Sequence, residues 1–351
     1  LSQGFPDFQA QPALFDAMDR YMRAGRNQYA PMAGMPELRQ AIVDKVAALY
    51  GTRFDPESEV TVTAGATQAI FTAIAAFVRP GDEVIVFEPV YDSYVPAIET
   101  VGGKAIYAQL QFPDYAPDWT QVAALITPKT RMIVINSPHN PTGSLLTAVD
   151  LEKLAELVRG SDIVVLSDEV YEHIVFDGER HASVCGHAEL APRSIVVSSF
   201  GKTYHITGWK IGYVVGPAAL MAEFRKVHQF NVFTVHTPSQ LALADYMQDA
   251  SRHLGLAAFY QEKRDFFRNL LAATPFALLP CRGTYFQLAS YAGISDLPDR
   301  AFAEWMTREV GVAVIPVSVF NADGRDDKVV RFCFAKKEET LVAAGERLRR
   351  L

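Results

Sequence analysis

The stretch VTVTAGATQAIFTAIAAFVRPGDEVIVF, residues 60–87, contains the pattern that decides the fold. Its first four residues are β-branched, and small residues at 64–67 separate them from a helical run at 69–77. The turn signal Arg79-Pro80-Gly81-Asp82 then leads into a second apolar run at 84–87. A strand, a helix and another strand in this order predict a parallel βαβ unit.

The same alternation continues on the C-terminal side of this unit. Short β-rich runs recur between helical patterns, at 132–135, 163–167, 195–198 and 209–215. Alternation of this kind predicts an α/β fold with a mainly parallel sheet covered by helices. On the N-terminal side, apolar residues at helical spacing predict a helix over 36–50 that ends at Gly51.

The pattern changes beyond about Tyr260. A long charged helix is followed by scattered strands at 284–288, 312–315 and 329–334, and then by a terminal helix. This order predicts a second, smaller α+β domain.

Composition and charge exclude several classes of protein. The 351 residues are 49% hydrophobic and 21% charged, which is typical of a globular protein rather than a disordered one. The net charge is -7 and no Lys/Arg block is present, so we expect no nucleic-acid partner. The longest apolar runs are far shorter than the roughly 20 residues that span a bilayer, so we expect no membrane segment.

The three cysteines, Cys185, Cys281 and Cys333, are widely separated. Neither they nor the histidines show the spacing of a metal site, and we predict no catalytic metal. Cysteine usage favours a reducing compartment, and we expect a cytoplasmic protein. Because the chain opens at Leu1 rather than Met, we also expect that a segment precedes it.

The most informative chemical signal is SSFGKTYHITGWKIGY, residues 198–213. An isolated lysine is most often a solvated surface residue. Here Lys202 follows a predicted strand, has small neighbours such as Ser199, and precedes a second cation, Lys210. These neighbours favour a lined pocket in which the Lys202 amine forms a Schiff base.

A Schiff-base lysine that works with pyridoxal phosphate needs a carboxylate for the ring nitrogen and a donor for the ring oxygen. Asp168 follows the strand-like run 163–167, where ligand sites of parallel sheets open. Asn140 lies in a loop that two prolines make rigid. Taken singly, Asp168 is more typical of a helix cap or turn, and Tyr171 is more typical of packing. The Asn140 segment alone fits a plain turn equally well.

The cofactor phosphate and the substrate carboxylate also need binding groups. Residues 63–68 pass from a strand into a helix with small side chains, which leaves backbone N–H groups for an anion, although no nucleotide-binding fingerprint is present. Tyr91 follows the next strand and either stacks on a planar cofactor or fills the core. Arg331 lies in an apolar strand, where it binds a substrate carboxylate, forms an internal ion pair or occupies a sheet edge.

Together and in this order, these segments resemble the class I/II aminotransferases, which are fold-type I enzymes that depend on pyridoxal phosphate. Residues 1–8, 27–31 and 198–213 are similar to the group of bacterial methionine aminotransferases and kynurenine/glutamine transaminases, which have cysteine-conjugate β-lyase side activity. The resemblance implies a large domain with a mainly parallel seven-stranded sheet flanked by helices, and a smaller α+β domain. The implied boundaries are 31–260 for the large domain and 261–351 for the small one, with residues 1–30 joining the small domain and a homodimer interface.

The resemblance also assigns roles to individual residues. It makes Lys202 the Schiff-base lysine and Asp168 the partner of the ring nitrogen, with Asn140 and Tyr171 at the ring oxygen and Tyr91 stacked on the ring. The implied phosphate ligands are Ala66, Thr67, Ser199 and Lys210, together with Tyr29 from the neighbouring subunit. The implied substrate-binding residues are Gly4, Asn136, Phe233 and Arg331.

Two departures from the family pattern bear on the substrate. Lys210 stands where many members have arginine, and it supplies a compact charge instead of a bidentate fork. Thr234 replaces the histidine of some kynurenine transaminases, which argues against kynurenine as the main substrate. Phe233, with no second arginine nearby, favours an uncharged side chain such as methionine or an aromatic one over aspartate.

Three functional hypotheses follow. The first is a ping-pong aminotransferase that moves an amino group from methionine or a neutral or aromatic amino acid to a 2-oxo acid. The second is a cysteine-conjugate β-lyase with the same cofactor, distinguished by release of pyruvate and ammonia. The third is a non-catalytic effector-binding module, which requires an appended DNA-binding domain.

Overall fold

Twelve strands form two separate sheets in the computed structural model, which describes all residues from Leu1 to Leu351. The first sheet contains β1 Val60–Thr63, β2 Glu83–Glu88, β3 Lys104–Gln111, β4 Ala116–Pro117, β5 Thr130–Asn136, β6 Val164–Asp168, β7 Ser194–Ser199 and β8 Gly212–Val215. The second contains β9 Ala277–Leu278, β10 Phe286–Ser290, β11 Ile315–Pro316 and β12 Val329–Cys333.

Thirteen α-helices accompany the sheets. They are α1 Pro12–Arg23, α2 Pro36–Tyr50, α3 Gly65–Phe77, α4 Tyr94–Thr100, α5 Trp119–Leu125, α6 Ala148–Val158, α7 Phe200–Thr203, α8 Ala218–Asn231, α9 Thr237–Tyr246, α10 Ser251–Leu254, α11 Leu256–Leu271, α12 Asp299–Trp305 and α13 Glu338–Leu348.

The first sheet is mainly parallel, as the βαβ pattern predicts. Its strand order is β1-β8-β7-β6-β5-β2-β3-β4. Strands β7, β6, β5, β2 and β3 are parallel to one another, whereas β8 is antiparallel to both β1 and β7. Strand β4 has only two residues and pairs antiparallel with β3 at the edge, so the sheet has one short strand beyond the seven that the resemblance implies.

The helix predicted over 36–50 is confirmed at both ends. Helix α2 begins at Pro36, a residue that lacks the N–H group which a first helical turn leaves unbonded. It ends before Gly51, which has the left-handed φ of 78° that closes many helices. Its buried face includes Leu38, Ile42 and Val46, which pack in the core under the first sheet.

The strand predicted over 209–215 is wrong in its first three residues. Thr207–Trp209 form a 3₁₀ turn, and Lys210 has a φ of 53°, which an extended strand does not allow. Strand β8 therefore begins at Gly212. A Cβ on Gly212 would lie 2.6 Å from the Ser198 carbonyl oxygen, so this glycine allows β8 to approach β7 closely.

The second sheet is antiparallel, with the order β11-β12-β10-β9. Helices α11 and α13 pack together beside it. Aromatic rings fill the space between the elements; Phe332, for example, lies 5.7 Å from Phe267 and 5.4 Å from Phe276 between ring centroids. This arrangement agrees with a smaller α+β unit, whose boundary at 261 stays a prediction.

Two further observations concern the whole chain. None of its helices is both long and apolar enough to pass through a lipid bilayer. The three cysteines are buried free thiols, and no group of three or more His, Cys, Asp or Glu side chains is arranged to hold a metal ion.

Candidate active site

The carboxyl ends of three adjacent parallel strands bring the candidate residues together. Strand β5 ends at Asn136, β6 at Asp168 and β7 at Ser199, and Asn136 is in register with Asp168. Ligand sites of open α/β sheets lie beyond such strand ends. A cavity of about 580 Å³ opens at this edge. Predicted site residues that line it are Gly4, Ala66, Thr67, Tyr91, Asn136, Asn140, Asp168, Tyr171, Ser199, Lys202, Lys210 and Arg331.

Lys202 lies in the short helix α7, which follows β7 directly. Its Nζ donates hydrogen bonds to the hydroxyl of Tyr285 at 2.8 Å and to the carbonyl of Gly4 at 3.2 Å. Burial lowers the pKa of the Lys202 amine to about 8, because the charged form loses water. A substantial fraction of this amine is therefore neutral near pH 8 and can act as a nucleophile or a base.

Asp168 is the last residue of β6, and its carboxylate is buried. Its Oδ2 accepts a hydrogen bond of 2.6 Å from the hydroxyl of Tyr94, and its Oδ1 accepts one of 3.3 Å from the Val170 N–H. Burial raises the pKa of Asp168 to about 6, and these two donors oppose that rise. The group is mostly ionised at neutral pH, so the cavity presents a buried anion to a cationic ring nitrogen.

The segment 168–172, DEVYE, divides its side chains between the cavity and the interior behind it. Asp168 and Tyr171 line the cavity, whereas Glu172 turns away and is only 6% exposed. Glu172 Oε1 accepts hydrogen bonds from Lys45 Nζ at 2.6 Å and from Ser198 Oγ at 2.7 Å. This buried ion pair fastens the segment to α2 and β7.

Asn136 and Asn140 link the loop after β5 to both sheets. Asn136 Nδ2 donates to the carbonyl of Asp168 at 2.9 Å, and its Oδ1 accepts from the Asn140 N–H at 2.8 Å. Asn140 Oδ1 accepts from the Arg331 guanidinium at 2.8 Å. The side-chain amide oxygen of Asn140 therefore already accepts a hydrogen bond, and the NH₂ group of the same amide is left to donate to a ligand in the cavity.

Arg331 is an interior residue of the second sheet, because β12 lies between β11 and β10. Its side chain forms no ion pair with a carboxylate, and its Nε is buried without a hydrogen-bond partner. The guanidinium lies over the ring of Phe286, with 4.0 Å from Cζ to the ring centroid. Burial lowers the pKa of Arg331, yet a guanidinium remains charged. The cavity therefore contains a cation with free donors, which suits a carboxylate ligand.

The opposite end of the cavity is suited to a phosphate. Helix α3 begins at Gly65, so the N–H groups of its first turn, which includes Ala66 and Thr67, have no partner within the helix. Gly65 has a left-handed φ of 79°, and the position of its missing Cβ lies 3.4 Å from Lys210 Nζ, so this amine lies close beside the helix start. Free N–H groups beside an ammonium group form an anion site.

The chain as a whole was compared with known proteins. The family model for class I and II aminotransferases matches residues 1–348. This chain belongs to the class I and II aminotransferases. It is 51% identical to the methionine aminotransferase of Escherichia coli (strain K12), over 100% of this chain and 91% of that relative.

Two further comparisons agree. This aminotransferase is 34% identical to kynurenine–oxoglutarate transaminase 1 of Rattus norvegicus, over 100% of this chain and 91% of the relative. A crystal structure from Escherichia coli, described as identifying a methionine aminotransferase function, matches with a TM-score of 0.99 at 51% identity and covers 100% of this chain and 93% of that chain. The fold-type I architecture and the aminotransferase activity predicted from the sequence are confirmed.

Two predicted residues of the aminotransferase do not line the cavity. Tyr29 is 82% exposed and Phe233 is 44% exposed, and their rings pack edge to face 5.5 Å apart. The sequence-based prediction assigned Tyr29 to the active site of a neighbouring subunit, and that assignment stays a prediction.

Two tyrosines that the sequence analysis did not select contact the central residues of this aminotransferase. Tyr94 donates to Asp168, and Tyr285 accepts from Lys202. Tyr94 stands three residues after Tyr91, and a second tyrosine so soon after the same predicted strand is a signal that could have found it. Tyr285 precedes β10 in a segment with no motif of its own, so no local signal points to it.

Proposed function

We propose that this aminotransferase uses pyridoxal phosphate held by Lys202, and that its amino donors are methionine and other neutral or aromatic amino acids. The observation that carries the proposal is the presence in one cavity of a partly buried lysine of lowered pKa, a buried carboxylate and an arginine with free donors. The 51% identity to a methionine aminotransferase supports methionine as the donor.

The residues of the cavity fit the cofactor at three points. Asp168 supplies a carboxylate for the ring nitrogen, Lys210 and the start of α3 supply an anion site for the phosphate, and Lys202 supplies the amine. The volume of about 580 Å³ lies within the usual range for small-molecule pockets. Tyr91 lines the cavity with an aromatic ring that can stack on a planar cofactor, and Tyr171, the residue assigned to the ring oxygen, also lines it.

The chemistry divides between the cofactor and the protein. When bound, pyridoxal phosphate supplies an aldehyde for the substrate amine and a ring that withdraws electrons from the substrate Cα. Lys202 Nζ, once neutral, takes the proton from the substrate Cα as a general base. As a general acid it would then deliver this proton to the carbon of the cofactor's aldehyde group. Arg331 binds the substrate carboxylate and so orients the Cα–H bond.

The lining beyond Arg331 favours an uncharged donor side chain. Phe286, Phe320, Ile315 and Val319 line this part of the cavity. An apolar wall binds a thioether or an aromatic ring favourably and leaves a second carboxylate without a partner. We therefore assign methionine and aromatic amino acids as donors and 2-oxo acids as acceptors.

We also propose a homodimer. Tyr29, Phe233 and Phe230, which is 86% exposed, place three aromatic side chains at the surface. Exposed apolar groups of this kind mark interaction surfaces when they are adjacent, as Tyr29 and Phe233 are. Light scattering of the purified protein is expected to give the mass of two chains, and a monomer at micromolar concentration would refute the dimer.

The test of the catalytic proposal is a spectrum. Protein loaded with pyridoxal phosphate is expected to show a visible absorption band that disappears when L-methionine is added without an oxo acid, and that returns when a 2-oxo acid follows. Lys202→Ala is expected to abolish turnover, because the other amine of the cavity, Lys210, is assigned to the phosphate. Retained turnover in this variant, or a wild-type band indifferent to every neutral and aromatic donor, would overturn the proposal.

A further inference from the structure

We propose that Tyr285 is a positioning residue for the catalytic lysine: its hydroxyl and the Gly4 carbonyl hold the Lys202 amine whenever that amine is not covalently bound. This inference rests on the proposed function, because it assigns a partner to the amine that the proposed reaction releases. Tyr285 precedes β10 of the second sheet, whereas Lys202 follows β7 of the first, so the contact joins the two sides of the cavity.

The direction of the hydrogen bonds follows from what each group can donate. Tyr285 Oη lies 2.7 Å from the Gly4 carbonyl oxygen, which only accepts, so the single phenolic hydrogen points there. The lone pairs of Oη then accept from Lys202 Nζ at 2.8 Å. Nζ also donates to the same Gly4 oxygen at 3.2 Å. The amine, the phenol and the carbonyl thus close a triangle of three hydrogen bonds.

Tyr285 is held firmly enough to position another group. Its side chain is fully buried, and its ring packs edge to face against Tyr171 at 5.1 Å between centroids. Its carbonyl accepts a hydrogen bond of 3.0 Å from the Phe334 N–H. Thr284, the preceding residue, has a φ of 64° and donates its N–H to the Ile174 carbonyl at 3.0 Å. The hydroxyl therefore has little freedom to follow Lys202 if the lysine moves.

Gly4 reaches the triangle because it has no side chain. A Cβ at this position would lie 2.9 Å from the Phe286 ring, closer than real contacts allow. The N-terminal segment is fastened on both sides of Gly4, since Lys336 Nζ donates to the carbonyls of Gln3 at 3.3 Å and Phe5 at 2.6 Å. The Gly4 carbonyl is therefore as well fixed as the phenol.

The chemistry of the two acceptors suits a lysine that must gain and lose a proton. A carboxylate in contact with Nζ would keep the ammonium form and prevent proton abstraction. Tyr285 and Gly4 are both neutral acceptors, and burial raises the pKa of the Tyr285 phenol, so it stays uncharged. They fix the position of Nζ while burial keeps its pKa near 8. The amine remains within the cavity in a form that reacts.

Tyr285→Phe tests the proposal because it removes one hydroxyl and keeps the ring. The matched control is Tyr260→Phe. Tyr260 is fully buried and its ring lies 5.7 Å from that of Tyr285, but its hydroxyl has no hydrogen-bond partner. Both variants remove a buried hydroxyl from the same aromatic cluster, and only the first removes a contact to the lysine.

The first readout needs no turnover. In holoenzyme loaded with pyridoxamine phosphate the lysine is free, and its acetylation by acetic anhydride is followed against pH by peptide mass spectrometry. Loss of an acceptor disfavours the ammonium form, so the midpoint of Lys202 acetylation in Tyr285→Phe is expected to fall by about one pH unit. Tyr260→Phe is expected to match the wild type.

The second readout is the split between kcat and KM for L-methionine. Tyr285→Phe is expected to lower kcat at least tenfold with KM changed less than threefold, because the variant misplaces the base and leaves Arg331 intact. If Tyr285→Phe does not fold, replacement of Tyr285 by 3-fluorotyrosine weakens the acceptor and is expected to lower the acetylation midpoint by a smaller amount. A midpoint and kcat equal to those of Tyr260→Phe would overturn the inference.

These outcomes separate the two proposals. If the wild type transaminates no neutral or aromatic amino acid, the proposed function fails, and the acetylation midpoint still reports on the contact between Tyr285 and Lys202. If the wild type is active and Tyr285→Phe leaves both readouts unchanged, the proposed function stands and only the inference about Tyr285 fails.

Discussion

At the scale of single residues, the site of this aminotransferase holds charges that are costly to bury. Lys202 is the clearest case, because burial lowers its pKa from 10.5 to about 8. Between these two values the unfolded chain binds more protons than the folded one, so the stability gained from this group rises with pH through that window. Below pH 8 the full cost of the buried ammonium remains.

Lys202→Met is therefore expected to inactivate the enzyme and stabilise the fold. Removal of the partly buried amine relieves about 3 kcal/mol at pH 7, if the entire pKa difference is expressed. The measurement is urea unfolding at pH 7 of both proteins stripped of cofactor, since the cofactor itself stabilises only the wild type. A Lys202→Met midpoint below that of the wild type would contradict the expected cost.

Three of the site residues that the sequence predicts have the same location relative to secondary structure, at the carboxyl end of a strand. Asn136, Asp168 and Ser199 each end a strand, so a strand pattern and the parallel topology are enough to bring them to one edge. Tyr285 cannot be found in this way, because its contact with Lys202 joins residues 83 positions apart and depends on the packing of the second sheet on the first. Contacts of this kind are a property of tertiary structure.

At the scale of elements, sequence rules predicted a helix or strand correctly where particular residues mark its ends. They failed where contacts with neighbouring elements determine the conformation. Helix α2 was predicted over its whole length because Pro36 and Gly51 mark both ends. Strand β3, Lys104–Gln111, was not predicted, since it is half-exposed near the sheet edge and mixes polar with apolar residues. The start of β8 was misplaced because Lys210 has a left-handed φ of 53°, a conformation that its residue type does not indicate.

Glu172 joins the segment 168–172 to helix α2 through Lys45 and to strand β7 through Ser198. A second prediction concerns the ion pair between Glu172 and Lys45. Burial alone would raise the pKa of Glu172, but the Lys45 ammonium in contact with it outweighs burial and holds that pKa well below its usual range, so the carboxylate is charged throughout the working pH range. Glu172→Gln leaves that ammonium buried without a counterion and is expected to cost about 3–5 kcal/mol. The cofactor is also expected to bind more weakly, because Tyr171 is the adjacent residue.

The double variant Lys45→Met/Glu172→Leu serves as the control for this pair. It removes both charges, so it is expected to lose less stability than Glu172→Gln alone. Thermal unfolding of the three proteins at pH 7 measures the difference. Equal losses in the single and double variants would show that hydrogen bonds to Tyr50 and Ser198, rather than the ion pair, stabilise the segment.

At the scale of the whole molecule, the cavity lies between two sheets that contribute different charges. The first sheet and the turns beside it supply Lys202, Asp168 and Lys210, and the second supplies Arg331. The carboxylate and the amino group of the substrate are therefore assigned to opposite sides of the cavity, the carboxylate to Arg331 and the amino group to the side of Lys202. A ligand that satisfies both sides links the two sheets, and its binding free energy adds to the stability of the folded protein.

This arrangement predicts stabilisation by a carboxylate that cannot react. The compound 4-(methylthio)butanoate has the thioether and carboxylate of methionine but no amino group, so it binds Arg331 and the apolar wall without any chemical step. At one hundred times its Kd it is expected to stabilise the holoenzyme by about 2.7 kcal/mol, seen as a concentration-dependent rise in Tm. In Arg331→Gln, which keeps a polar side chain but loses the charge, the rise is expected to disappear. The matched alcohol 4-(methylthio)butanol isolates the apolar contribution. Equal shifts with acid and alcohol, or an undiminished shift in Arg331→Gln, would show that Arg331 does not bind the carboxylate.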